Sequence, residues 1–125
     1  MGDPHAVIAG YWSAVAARDW DGLAAVVAPD VLYEVPQTRE RVRGRDAFVR
    51  FTRDGFPGDW RIEISSVVGE GRMGASRIIF TGESGPEEGL CFFTLDGDGL
   101  IATIADYWPE PYEPPAGRGH LVERY

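Results

Sequence analysis

The hydrophobic pattern changes period once along the chain, and this change limits the fold more than any other feature. As far as Thr52, apolar residues mostly recur at helical spacing, broken by one short strand-like run; from Trp60 onward they alternate in short runs separated by glycine-rich turns. Helices first and strands later indicate an α+β chain, with the helices covering one face of a sheet, rather than an alternating α/β chain.

Asp3-Pro4 supplies a capping carboxylate and a proline for the first helical position, and Ile8, Tyr11, Trp12 and Val15 then repeat on one face, so a helix is expected from about Pro4 to Ala17. Asp19 can cap a second, shorter helix with Leu23, Val26 and Val27 inward and Pro29 at its exit. Val31 to Val35 reads as a short strand ended by Pro36, followed by a polar loop rich in arginine. Helical spacing returns from Gly44 to Thr52 through Ala47, Phe48 and Phe51. Four β segments follow, at about Trp60–Val68, Met73–Glu83, Gly89–Leu95 and Leu100–Trp108, with turns at 69–71, 85–86 and 96–99. The tail from Pro109 carries four prolines before Gly117 and reads as extended. A length of 125 residues suits a single domain, with its core over about 4–112 and an extended tail over 113–125.

Composition excludes several chemistries. The net charge of −8 repels phosphate backbones, so no nucleic acid partner is expected. All 12 basic residues are arginines, which removes Schiff-base chemistry through lysine. A single cysteine, Cys91, cannot close an intrachain disulfide, and with only His5 and His120 beside it no metal site is expected. No apolar run approaches the roughly 20 residues a membrane helix needs, and the start lacks a secretory pattern, so the expectation is a cytoplasmic protein with no membrane partner.

Three motif matches point to turns or surface instead of sites. Gly69-Glu70-Gly71-Arg72-Met73-Gly74 fits a dinucleotide fingerprint by letter, but a strand follows where a helix must open, so a hairpin is expected and no cofactor. Asp96-Gly97-Asp98-Gly99 lacks the remainder of a calcium loop and also reads as a hairpin turn. Arg39, Arg41, Arg43 and Arg45 alternate, so in an extended loop they would point to one side and could meet an anion, although a solvated loop is the simpler reading.

Period-two counting puts Ile104, Asp106 and Trp108 on one face of the last strand. A carboxylate between two large apolar residues is partly desolvated, which raises its pKa toward the range useful for proton transfer near neutral pH. The same counting turns Cys91 and Phe93, and Ser76, Ile78 and Phe80, to the inside of the two preceding strands. With Tyr33, Val35, Phe51 and Trp60 these faces can enclose an aromatic cavity of the kind that holds small molecules, or can simply fill a core.

The element order, with Tyr11 ahead of Arg18-Asp19-Trp20-Asp21-Gly22-Leu23, Val31–Pro36, Gly44–Phe51 and Gly99–Trp108, resembles the nuclear transport factor two superfamily. Within it the chain is most similar to the SnoaL-like group named for polyketide cyclases, and more distantly to ketosteroid isomerase. The resemblance spans about residues 4–112. It implies a cone-shaped, curved antiparallel sheet wrapped around three N-terminal helices, the cystatin-like α+β barrel. It also implies a homodimer formed through the outer sheet surface, where Arg77, Ile79, Thr81, Phe92 and Thr94 would lie.

Carried over by position, the isomerase's oxyanion-hole tyrosine falls on Tyr11, its general-base aspartate on Val35, and its protonated aspartate near Cys91. Neither of those carboxyls is present, which argues against steroid-type enolisation by that arrangement. SnoaL-like cyclases are thought to use a pocket aspartate as acid and base without a cofactor, and Asp106 is the residue that suits this role. The resulting expectation is a pocket protein, possessing an acid/base site at Asp106 with Tyr11 as hydrogen-bond donor and a hydrophobic carbonyl or polycyclic compound as ligand. The alternatives are a non-catalytic binding or dimerisation module of the same fold, and an interaction protein that uses its arginine loop.

Overall fold

The computed structural model describes residues 3–125. Helix α1 spans Pro4–Ala17, α2 Trp20–Val26 and α3 Arg45–Asp54. The strands are β1 Val27–Val35, β2 Glu40–Arg43, β3 Arg61–Glu70, β4 Met73–Gly82, β5 Gly85–Leu95 and β6 Ile101–Tyr107, and the tail contains one 3-10 turn at Gly119–Leu121. All six strands form one sheet in the order β2-β1-β6-β5-β4-β3, which leaves β2 and β3 as open edges. The fold is an α+β cone with the three helices on the concave side.

Local chemistry sets the helix hairpin. The Asp3 carboxylate caps α1 by accepting from the His5 backbone N–H, and Arg18, at φ 55°, ends it in the left-handed region. The Asp19 carboxylate then accepts from the Gly22 N–H to start α2. A side chain at Gly22 would collide with that carboxylate, its Cβ falling 2.4 Å from Asp19 Oδ2.

Several details differ from the sequence expectations. The sheet is mixed, because β1 and β6 run parallel while every other pair is antiparallel. The chain returns after the β3–β6 meander to lie beside its first strand, and it does not close into a barrel. Pro29 does not separate α2 from the strand: β1 starts at Val27, and the proline is accommodated where the β1–β6 register shifts between Val27 and Leu32. The hairpin between β4 and β5 turns at Glu83–Ser84, with Gly82 opposite Gly85, so that Gly85 and Pro86 belong to β5.

A further difference is the arginine segment, most of which is strand β2 paired with β1 and not a loop. Its four arginines do not converge. Arg39 sits in the β1–β2 turn at φ 63°, Arg41 pairs with Glu34, and Arg45 donates to the Val27 carbonyl. Only Arg41 and Arg43 share the extended strand and hence one face; Arg39 lies in the turn and Arg45 begins α3, so the four are not aligned.

The Gly69–Gly74 segment is a β3–β4 hairpin over which α1 packs. A Cβ at Gly74 would lie 2.2 Å from Ile8 Cδ1 and 2.8 Å from the Val68 carbonyl oxygen, so the missing side chain is what lets the helix approach the sheet. The core under the helices is formed by Ile8, Leu23, Val31, Phe48, Ile78, Phe93, Ile101 and Ile104, among others.

Candidate functional site

Alternation along β6 turns Ile104 and Asp106 inward, and both are buried. Asp106 is only 5% exposed, yet it contributes to the wall of a narrow cavity of about 30 Å³ between the sheet and helices α1 and α3. The remaining wall is mostly aromatic: Tyr11 and Trp12 from α1, Tyr33 from β1, Phe56 and Trp60 from the α3–β3 connection, Phe80 from β4, and Trp108 just after β6. Val15, Thr52 and Ile62 complete it.

Both carboxylate oxygens of Asp106 are held. β1 lies beside β6 with Tyr33 next to Ile104, which brings the Tyr33 hydroxyl to Asp106 Oδ2, to which it donates. Cys91 stands opposite Asp106 on β5, and its thiol donates to Oδ1. Behind it the Trp12 indole N–H donates to Ser76 Oγ across 2.8 Å, tying α1 to β4.

Burial raises the Asp106 pKa, and hydrogen bonds to its charged form from Cys91, Tyr33 and Trp108 oppose that rise. The balance leaves a carboxyl easier to protonate than one in water. Burial likewise pushes the Tyr11 hydroxyl and the Cys91 thiol well above their ordinary values, with nearby negative charge adding to it, so both remain protonated. Tyr33 is raised for the same reasons, burial first and the Asp106 charge second. Among the described residues the Tyr11 hydroxyl makes no hydrogen bond, so it remains available to a molecule in the cavity.

Of the residues expected to line a pocket, Tyr33, Trp60, Phe80 and Trp108 do, together with Asp106 and Tyr11. Val35, Ile78, Cys91, Phe93 and Ile104 are instead buried in the packed core, and Phe51 packs between Tyr33, tilted, and Phe56, edge to face, without reaching the cavity. Alternation identifies the inward face of a strand but not the level at which the helices stop filling the cone. Trp12, Val15, Thr52, Phe56 and Ile62 line the cavity without having been singled out for it. The helical stripe that contains Tyr11, Trp12 and Val15 was the available signal for two of them.

The two carboxyl positions of ketosteroid isomerase remain empty of carboxyls, since Val35 is packed in the core and Cys91 is a thiol. The register nonetheless brings a carboxyl to the level of Cys91 from the neighbouring strand, as Asp106.

Comparison with known proteins agrees with this architecture. A crystal structure from Kribbella flavida DSM 17836, provisionally named a ketosteroid isomerase, superposes with a TM-score of 0.90 at 38% identity, covering 98% of this chain and 89% of that one. An NTF-2 like protein of unknown function from Burkholderia xenovorans LB400 gives 0.74 at 23% identity, over 96% and 93%. An LEH-like epoxide hydrolase of M. tuberculosis gives 0.70 at 18% identity, over 85% and 82%, a likeness of fold alone. No curated protein matches the sequence. The SnoaL-like domain model matches residues 8–104, and with it this chain belongs to the SnoaL-like family of the NTF2-like fold.

Proposed function

We propose that this protein is a cofactor-independent acid/base enzyme for a small hydrophobic carbonyl compound, with Asp106 moving the proton and Tyr11 stabilising the oxyanion. The observation that carries this reading is the Asp106 carboxyl, buried in the wall of an aromatic cavity and fixed by donors on both oxygens. In the ionised form it removes a proton from the carbon next to the carbonyl, and the released electron pair moves onto the carbonyl oxygen. Tyr11, kept protonated by its burial, donates to that oxygen. Asp106, now a neutral acid, returns the proton to carbon, so an isomer leaves and the enzyme is restored.

A homodimer in the cytoplasm belongs to the same proposal. The dimer is supported by Phe92, 53% exposed on the outer sheet face against Tyr107; among the described residues no helix is long and apolar enough to cross a membrane.

The test is solvent exchange. In deuterated water the protein should exchange the acidic protons of hydrophobic ketones, followed by NMR; Asp106→Asn should lose that exchange while still binding ketone, as read by fluorescence of the cavity tryptophans. Equal exchange by the variant would remove Asp106 from the role. One observation favours a second reading, a non-catalytic module: about 30 Å³ has room for only about two water molecules. Exchange by neither protein, with ketones still bound, would select it.

A further inference from the structure

On the outer side of the cavity wall lies a second space of about 250 Å³, open to the surface beneath the β4–β5 hairpin. It shares three residues with the buried cavity, Phe56, Trp60 and Phe80, so these aromatic rings border both spaces. Neither alone reaches the roughly 300 Å³ at which small-molecule pockets begin, whereas the two together come close to it.

The three rings are not equally held. The Trp60 indole N–H donates to the Phe56 carbonyl at 2.9 Å, the Arg18 guanidinium lies 3.8 Å over the indole ring, and Arg18 Nη2 donates to the Trp60 carbonyl at 2.6 Å. The Phe56 and Phe80 rings are held by apolar packing alone, with each other at 5.9 Å and with Phe51, Trp60 and Trp108 at similar distances. Both are partly exposed, and Gly82 and Gly85 contribute no side chain to the surface space, which Glu87, opposite Phe80 on β5, and Glu83 border.

We propose that Phe56 and Phe80 form a movable partition against a fixed Trp60, and that the parted rings join both spaces into one site for an elongated, uncharged apolar molecule. Its reactive end reaches Asp106 and its tail lies under the β4–β5 hairpin. This rests on the reading of the cavity as a ligand site. Among the described residues, the charged side chains lining the outer space are Glu83 and Glu87, so a tail ending in a carboxylate is disfavoured.

The experiment titrates the full chain with straight-chain methyl ketones from butanone upward, and with fatty carboxylates of matching length, following tryptophan fluorescence. Ketone affinity should tighten roughly threefold to fourfold per added methylene until the joined space is filled. The carboxylates should bind more weakly, and a Glu83→Gln/Glu87→Gln double variant should narrow that gap. Phe80→Ala and Phe56→Ala should each speed association in stopped flow. Affinity independent of chain length, no binding at all, or association rates unchanged in both variants would overturn the partition. Length-dependent binding without proton exchange leaves the partition standing and removes the catalytic reading, while exchange on butanone without any length dependence does the reverse.

Discussion

Cys91 and Asp106 stand opposite each other on adjacent strands, and the thiol donates to the carboxylate across 2.6 Å. Their antiparallel register sends both side chains inward at one level, Asp106 into the cavity wall and Cys91 into the core beside it. A thiol in this position is a hydrogen-bond donor rather than a nucleophile, because burial and the neighbouring negative charge disfavour its thiolate.

Cys91 is therefore expected to resist alkylation in the native protein. Iodoacetamide should leave it unmodified under native conditions and label it completely in denaturant, as read by intact mass. Cys91→Ser, which keeps a donor of similar size, should retain ketone binding, whereas Cys91→Val removes the bond to a buried carboxylate and should cost about 1.5–3 kcal/mol in denaturant unfolding.

Asp106 gives stability a pH dependence of definite sign. Its folded pKa is raised above the ordinary value of 3.8, so the folded state holds a proton over a range in which the unfolded chain has released it. Its contribution is complete below that value and is lost as pH rises through the folded pKa. Subtracting Asp106→Asn from the native protein in denaturant melts across this window should leave a stability difference that falls with increasing pH. A flat difference would mean that the carboxyl titrates as it does in water.

Gly74→Ala tests the approach of α1 to the sheet. The added methyl group meets the Ile8 side chain and the Val68 carbonyl, and the backbone atom cannot move aside cheaply. A loss of about 1–3 kcal/mol is expected from chemical denaturation. Gly71→Ala is a control for positive φ alone, since nothing lies within 4 Å of a Cβ there.

Arg18 combines a backbone term and a side-chain term that two substitutions separate. Arg18→Ala loses the cation–π contact and the bond to the Trp60 carbonyl but keeps a left-handed non-glycine residue. It should cost about 1–2 kcal/mol, the exposure of the arginine limiting the loss. Arg18→Gly should regain about 1 kcal/mol of this by relieving the φ of 55°. Equal melts for the two would show that the left-handed cap carries no strain.

Much of this molecule could be read from its residue pattern. The extent of α1, the cap at Asp19 and the inward faces of β4, β5 and β6 follow from periodicity and capping chemistry, which are local. Asp106 was found in the same way, because its two neighbours on the strand face are Ile104 and Trp108. Its partners were not. That Tyr33 reaches Asp106 depends on the parallel pairing of β1 with β6, and that Cys91 does so depends on the β5–β6 register; both join residues far apart in the chain. β2 was missed because Glu40, Arg41 and Arg43 carry no strand signal until Val42 finds Tyr33 across the edge.

Gly89 lies on β5 opposite Ile78, with the six-membered ring of Trp108 resting where its side chain would be, 3.0 Å from the place of a Cβ. A single methyl group there would press on both the indole and Ile78 Cδ1, which lies at the same distance, so the cavity-lining ring or its core neighbour must give way. The capacity of this protein for a guest is thus governed in part by a residue that no guest would touch, and selection could enlarge or shrink its appetite without altering any atom that performs chemistry.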